Sequence, residues 1–128
     1  MKTLVLGALV GMALAGTALA DPIEGTWQTQ PDNGAYAYVR MAPCGRAICG
    51  VITRTFKAEG EYKSPNIGKT LVIDMEPNGG GSYSGKVLRP ANGKLYIGKM
   101  QLTGKTLALR GCVAGGLICS KQAWSRVE

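Results

Sequence analysis

Few side chains in this chain of 128 residues can do acid–base or nucleophilic chemistry, and there is no histidine. The lack of histidine excludes Ser-His-Asp and Cys-His nucleophile systems and removes the commonest metal ligand. Two pairs of carboxylates, Glu59 with Glu61 and Asp74 with Glu76, are spaced so that each pair shares one face of an extended strand. Glycosidases use paired carboxylates. However, the first pair lies in a polar segment and the second lies at a strand end before a turn. We therefore interpret both as solvated surface and predict no catalytic residue and no enzymatic activity.

A glycine pattern, Gly80 followed by Gly85-Lys86, has the spacing of a phosphate-binding loop. The motif requires Ser or Thr after the lysine and a helix behind it. Val87 stands at that position, and the glycines belong to a predicted hairpin. The pattern therefore indicates a turn, and we predict no cofactor.

Four cysteines, Cys44, Cys49, Cys112 and Cys119, are typical of a small protein in an oxidising compartment. They allow three pairings. We favour Cys44 with Cys49 and Cys112 with Cys119, because each pair flanks a short glycine-containing segment that can turn a hairpin. A zinc site is the alternative, but export favours disulfides, and we predict no metal.

The first 20 residues read as a signal peptide. Lys2 is followed by an apolar stretch from Leu4 to Ala15, and Ala18-Leu19-Ala20 is a small-x-small cleavage site. The stretch is short for a membrane span, which disfavours an uncleaved anchor, and no later segment is a transmembrane candidate. We expect residues 21–128 to form a single domain that is periplasmic or secreted.

The formal net charge is +7, and it becomes +6 once Lys2 is removed. Surface lysines commonly serve solubility, but a basic exported protein is also attracted to an acidic protein or an anionic envelope polymer. The lysines are dispersed and accompany no aromatic-interleaved motif, so we predict no nucleic acid partner.

Eight short segments separated by Gly, Asn and Pro turns predict an all-β protein. Because the turns are short and sequential, they favour an eight-stranded antiparallel up-and-down barrel over a Greek key. A polar segment, residues 57–68, is the longest predicted loop. The predicted strands are residues 24–30, 35–42, 48–56, 69–75, 82–89, 94–102, 105–112 and 118–127.

Two tryptophans bracket these strands, Trp27 on the first and Trp124 on the last. We expect both to pack one end of the barrel, since buried aromatic side chains contribute large packing area. Arg126 lies on the same strand face as Trp124 and would stack on Trp27, and Gly25 would leave room for that approach. These four residues are the predicted barrel closure.

On the second predicted strand, Tyr36, Tyr38 and Arg40 share one face. If that face lines the lumen, it supplies aromatic walls and one cation for a ligand. The alternative is an outward face whose phenols and guanidinium reach water.

The Gly-x-Trp start and the arginine on the last strand resemble the closure pattern of lipocalins and their calycin relatives. More specifically, the chain resembles a secreted bacterial family described as a domain of unknown function. The matching segments, all in the printed sequence, are Gly25-Thr26-Trp27, Ile48-Cys49-Gly50-Val51-Ile52, Gly85-Lys86-Val87-Leu88-Arg89-Pro90, Asn92-Gly93-Lys94-Leu95-Tyr96, Leu107-Ala108-Leu109-Arg110-Gly111-Cys112 and Gln122-Ala123-Trp124-Ser125-Arg126-Val127.

The resemblance implies a small lipocalin-like barrel in the periplasm or outside the cell, with no established activity to carry over. Where it leads us to expect an acidic Asp-x-x-Asn-Pro stretch in the long loop, the chain has Lys63-Ser64-Pro65-Asn66. We expect a non-catalytic binder of a small apolar or amphipathic ligand. The alternatives are a protein-binding module, such as an inhibitor of an extracellular hydrolase, which would use residues 57–68 or the Gly79–Gly81 turn, and an envelope-associated stress protein.

Overall fold

The computed structural model describes residues 20–128, so nearly all of the predicted signal peptide lies outside the described residues. Within residues 20–128, no helix is long and apolar enough to cross a membrane. One turn of 3₁₀ helix, Ala114–Gly116, joins the last two strands. The strands are β1 (Gly25–Gln28), β2 (Tyr36–Cys44), β3 (Ala47–Lys57), β4 (Gly60–Tyr62), β5 (Thr70–Gly79), β6 (Ser82–Arg89), β7 (Lys94–Thr103), β8 (Thr106–Val113) and β9 (Ile118–Arg126).

The strands form one antiparallel sheet that closes on itself. Sequential neighbours pair from β5 through β9, β1 pairs with both β9 and β2, and β2 pairs with β3. Since β3 also pairs with β5, the ring contains eight strands and confirms the predicted up-and-down barrel. Closure leaves the ring without a free sheet edge along most of its length.

A ninth strand, β4, differs from the sequence-based expectation of a continuous loop over residues 57–68. It forms a short hairpin with the end of β3, where Thr55 pairs with Tyr62. Arg54 in β3 donates two hydrogen bonds to the Glu61 carboxylate, at 2.8 and 2.6 Å, which holds β4 against its neighbour. These bonds also lower the pKa of Glu61 below its usual value.

Alternation along the strands places one set of side chains in the barrel core. On β2, Val39 and Met41 are buried while Arg40 between them is exposed. An extra residue in β3 produces a bulge opposite Tyr38 and Val39, and the inward pattern continues on both sides of it. Residues that share this inward orientation and form the core are Ile23, Trp27, Val39, Met41, Ile48, Ile52, Val72, Met75, Tyr83, Val87, Met100, Leu107, Leu109 and Trp124.

One end of the barrel is sealed, and we call it the closed end. Trp27 is fully buried there, and its indole N–H donates to the carbonyl of Ile23, which is also fully buried, at 2.9 Å. The Tyr83 hydroxyl donates to the Asp21 carboxylate. Burial, together with this hydrogen bond, raises the pKa of the Tyr83 phenol well above its usual value, so the donor stays protonated. Residues 21–24 thus cover the closed end.

Arg126 joins this cover to the seam between β1 and β9. Its guanidinium carbon lies 4.3 Å from the centroid of the Trp27 ring, and Nη1 donates to the Glu24 carbonyl at 2.9 Å. Nη2 donates to the Pro22 carbonyl. Gly25 has φ +121°, and a Cβ at this position would collide with the Glu128 carbonyl and lie 2.9 Å from Arg126 Nη1. Gly25, Trp27 and Arg126 therefore contact one another at the closed end, and their role in holding the ring closed stays a prediction.

Both cysteine pairs lie at disulfide distance in the predicted pairing, Cys44 with Cys49 and Cys112 with Cys119. The first pair closes the β2–β3 turn at the closed end. The second closes the β8–β9 turn at the opposite end, which we call the open end. Each disulfide therefore links the two strands of one hairpin.

Replacement of Arg126 by Ala should lower the free energy of unfolding by about 3 kcal/mol, because it removes a cation–π contact and two charge-assisted hydrogen bonds. Arg126→Lys should fall between wild type and Arg126→Ala, since it keeps the charge and loses the planar fork. Urea unfolding followed by circular dichroism measures both changes. Arg110→Ala on the exposed barrel wall is the control and should change stability by less than about 0.5 kcal/mol. Equal stability of Arg126→Ala and Arg110→Ala would contradict this role.

Candidate binding cavity

The open end holds a cavity of about 690 Å³, which is in the size range of small-molecule sites. Its floor consists of buried apolar core residues, and its rim carries aromatic and polar side chains. The lining residues that share the floor or the adjoining wall are Ala37, Ile52, Leu71, Val87, Leu109 and Trp124, and those nearer the rim include Tyr36, Thr55, Tyr62, Ser64, Asn66, Arg89, Tyr96 and Gln122.

Beside the cavity the strand ladder is interrupted, because β1 is much shorter than the strands beside it. β1 pairs with β9 at only two positions, Trp27 with Arg126 and Gln28 with Ser125. In the part of the chain that the structure describes, residues 118–124 of β9 pair with β8 but not with β1. The barrel wall is therefore incomplete between β9 and β2 toward the open end.

Residues 29–35, which we call the flap, cover this gap. The Thr29 N–H donates to the Ala37 carbonyl at 2.9 Å, and the Gln30 side-chain oxygen accepts from the Ala123 N–H at 2.9 Å. The first strand was predicted to continue to residue 30, but it ends at Gln28. Pro31 lacks an N–H for a sheet ladder, and Asn33 has positive φ, so the chain turns away from β9 here.

Trp124 lies between the closed end and the cavity. It is buried with 1% exposure, lines the cavity, and its indole N–H donates to the Gln122 side-chain oxygen at 2.9 Å. The sequence predicted that Trp124 packs the barrel end with Trp27. Trp27 is at the closed end, whereas Trp124 also borders the empty volume, so the two tryptophans have different surroundings.

The long loop, residues 57–68, forms one side of the cavity rim and is held by hydrogen bonds. Buried Thr55 donates its hydroxyl to the Tyr62 carbonyl at 2.6 Å and accepts from the Ser64 N–H at 3.3 Å. The Ser64 hydroxyl accepts from the Asn66 N–H at 3.0 Å. These bonds place Tyr62, Ser64 and Asn66 on the cavity, so where the Asp-x-x-Asn-Pro pattern is absent the loop is ordered and contributes uncharged polar side chains to the lining.

The rim beside β6 and β7 is electropositive. Asn92 Nδ2 donates to the Tyr96 hydroxyl at 3.0 Å. This hydrogen bond, together with the nearby charges of Arg89 and Lys94, lowers the pKa of the Tyr96 phenol below its usual value. A negative group at this part of the rim would be stabilised by the same surroundings.

The predicted ligand wall occupies the side of β2 opposite to the core. Tyr36 and Tyr38 pack against Phe56 with ring centroids 4.9 and 4.7 Å apart, and Arg54 lies over both Tyr38 and Phe56. Tyr36 reaches the cavity rim, while exposed Arg40 lines a shallow hollow on the outside of the barrel. Tyr38 and Arg40 therefore face outward, which was the alternative interpretation of this strand. Contact between a ligand and this face of β2 stays a prediction.

The carboxylate pairs are exposed, with Glu61 engaged by Arg54. Gly80 lies in the β5–β6 turn at the closed end, and Gly85 packs against the backbone of β5.

Cys44, Cys49 and Asp74 lie within 4.8 Å of one another. The two sulfurs are bonded to each other, however, and a disulfide offers no thiolate to zinc.

Tyr62 and Tyr96 line the cavity but were not predicted as site residues. For Tyr96 the strand periodicity is such a signal, because Tyr96 lies on the same face of β7 as Gly98 and Met100. The structure buries Gly98 and Met100, so Tyr96 faces inward at the open end. Tyr62 has no comparable pattern, because it lies in a three-residue strand within a polar segment.

The comparisons with known proteins agree with this architecture. No curated protein has a sequence that matches the chain. A similar solved structure is that of "Protein HP1028 from the human pathogen Helicobacter pylori belongs to the lipocalin family", with 17% identity, a TM-score of 0.63 and coverage of 85% of each chain. That likeness supports the lipocalin-like fold. Residues 25–126 match a family model described as "Uncharacterized protein conserved in bacteria (DUF2147)", which includes both halves of the closure, and the chain belongs to that family.

Proposed function

We propose that this protein is an exported, non-catalytic carrier or receptor for a small amphipathic molecule, which occupies the open-end cavity. The observation that carries the proposal is a cavity of about 690 Å³ with an apolar, aromatic floor and a polar rim. Such sites bury most of a small ligand and orient it with a few polar groups. The two disulfides support an oxidising location such as the periplasm or the cell exterior.

The distribution of polarity suggests how the ligand lies. Its apolar part would contact Leu109, Val87 and Trp124, where it removes hydrocarbon from water at about 25 cal/mol per Å². Its polar end would lie at the rim near Arg89 and Tyr96, where the positive potential favours an anionic group. A long-chain carboxylate fits this arrangement better than an amine with the same chain.

The protein-binding alternative has less support in the geometry. Residues 57–68 lie at the open end, whereas the β5–β6 turn around Gly80 lies at the closed end. Either loop would therefore have to bind a partner on its own, whereas the floor and rim of the cavity form one site.

Trp124 should report ligand binding, since it borders the cavity while Trp27 lies at the closed end. In a Trp27→Phe protein, titration with a long-chain fatty acid should shift the emission of Trp124, and an amine of equal chain length should bind at least about tenfold more weakly. Steady-state fluorescence measures both. Trp124→Phe, which retains Trp27, is the control and should show little change. A flat titration up to the solubility limit of the fatty acid would count against the proposal.

A larger side chain at Ala37 should block the cavity. Ala37 lines it beside Ile52, so Ala37→Leu should weaken fatty acid binding by about tenfold or more through steric overlap of order 1–3 kcal/mol. Displacement of a fluorescent fatty acid probe measures this. Ala123→Leu adds the same atoms on the exposed side of β9 and should bind like wild type. Equal loss in both variants would mean that the ligand does not occupy this cavity.

A further inference from the structure

Charge is divided unequally around the barrel. Residues 77–127 contain eight Lys and Arg and no Asp or Glu, so every acidic residue of the chain lies outside this span. The span comprises β6 to β9, which form one half of the wall. Arg126 is used at the closed end, and the other cations are exposed: Lys86, Arg89, Lys94, Lys99, Lys105, Arg110 and Lys121.

Three of these cations stand in a row across neighbouring strands. Lys99 pairs directly with Arg110, and Arg110 pairs directly with Lys121. Like charges placed opposite each other destabilise a sheet. The ion pair found within residues 20–128, Arg54 with Glu61, lies on the other half of the barrel and neutralises none of them. The row therefore presents an uncompensated positive surface to whatever binds there.

Exposed apolar side chains accompany the row. Leu117 is 88% exposed and Ile118 is 65% exposed at the β8–β9 turn. This turn lies beside the cations, because a Cβ built on Gly116 would be 3.7 Å from the Lys99 ammonium. On β7, Leu95 and Ile97 are also exposed, so the same side of the barrel carries both a cationic row and an apolar edge.

We propose that this side of the barrel, the outer surface of β7 to β9 with the β8–β9 turn, docks onto an anionic phospholipid bilayer. Lys99, Arg110 and Lys121 contact the lipid phosphates, while Leu117 and Ile118 enter the headgroup region. Interfacial binding of this kind combines buried apolar area with attraction to anionic lipid. A soluble anionic polymer would satisfy the cations but would leave Leu117 and Ile118 in water, which is why the bilayer fits better.

Vesicle flotation of the whole protein tests the docking. The protein should float with phosphatidylcholine vesicles that contain about one third phosphatidylglycerol, and not with pure phosphatidylcholine. Raising the salt from about 0.1 M to about 0.5 M should weaken binding, since exposed charges are screened. Absence of flotation with the anionic vesicles at low salt would overturn the proposal.

Charge variants test which side of the barrel binds the vesicles. The triple change Lys99→Gln, Arg110→Gln and Lys121→Gln should weaken vesicle binding about a hundredfold, roughly fivefold for each side chain. It should not impair folding, because it removes repulsion within the sheet. The matched control changes Arg46, Lys57 and Lys63 to Gln on the other half of the barrel and alters the net charge equally. Equal weakening by the two triples would show that net charge alone acts and would overturn the assignment.

A variant of the apolar β8–β9 turn distinguishes binding to a bilayer from binding to a soluble anionic polymer. Leu117→Ser with Ile118→Ser should weaken vesicle binding about tenfold through lost burial of apolar area. Unchanged vesicle binding by this double variant, together with equally tight binding of dextran sulfate, would overturn the bilayer in favour of a polymer. Docking onto the bilayer does not require an occupied cavity. Ala37→Leu should therefore bind vesicles like wild type, whatever it does to fatty acid binding.

Discussion

The whole architecture depends on the short seam where β1 meets β9, which has two residue pairs and further backbone hydrogen bonds between Thr26 and residues 127–128. The guanidinium of Arg126 reinforces this seam by joining the Trp27 ring to the Pro22 and Glu24 carbonyls. The same short β1 that makes the seam narrow also leaves the gap under the flap. The length of the first strand therefore leaves one side of the cavity to be covered by the flap, while residues 21–24 and Arg126 seal the opposite end.

Much of this fold follows from local sequence. Turn residues such as Asn33 and Gly93 take positive φ where the hairpins were predicted, and strand alternation places Val39 and Met41 together on one face, which the structure shows to be buried. The up-and-down ring was predictable because the eight segments are separated by short sequential turns. The short strand β4 was not predictable, since it has three residues in a polar segment and is defined by its pairing with the end of β3 and by the Arg54–Glu61 contact.

The site was harder to predict than the fold. Alternation shows that two residues share a face, but it does not say which face is inward until partner strands are placed. Tyr36 and Tyr38 illustrate this, because their stacking on Phe56 belongs to the outside of the barrel. Besides Tyr36 at its rim, the cavity is lined by Tyr62 and Tyr96 from distant segments, and only the ring brings these together.

Both disulfides are local, with sequence separations of 5 and 7 residues, and each lies within one hairpin. Each can therefore form as soon as its own hairpin exists, without waiting for the barrel to close. Any alternative pairing would join cysteines from opposite ends of the molecule. Oxidation can thus fix the register of two hairpins independently of the ring, while the meeting of the first and last strands, about a hundred residues apart in sequence, depends on non-covalent forces.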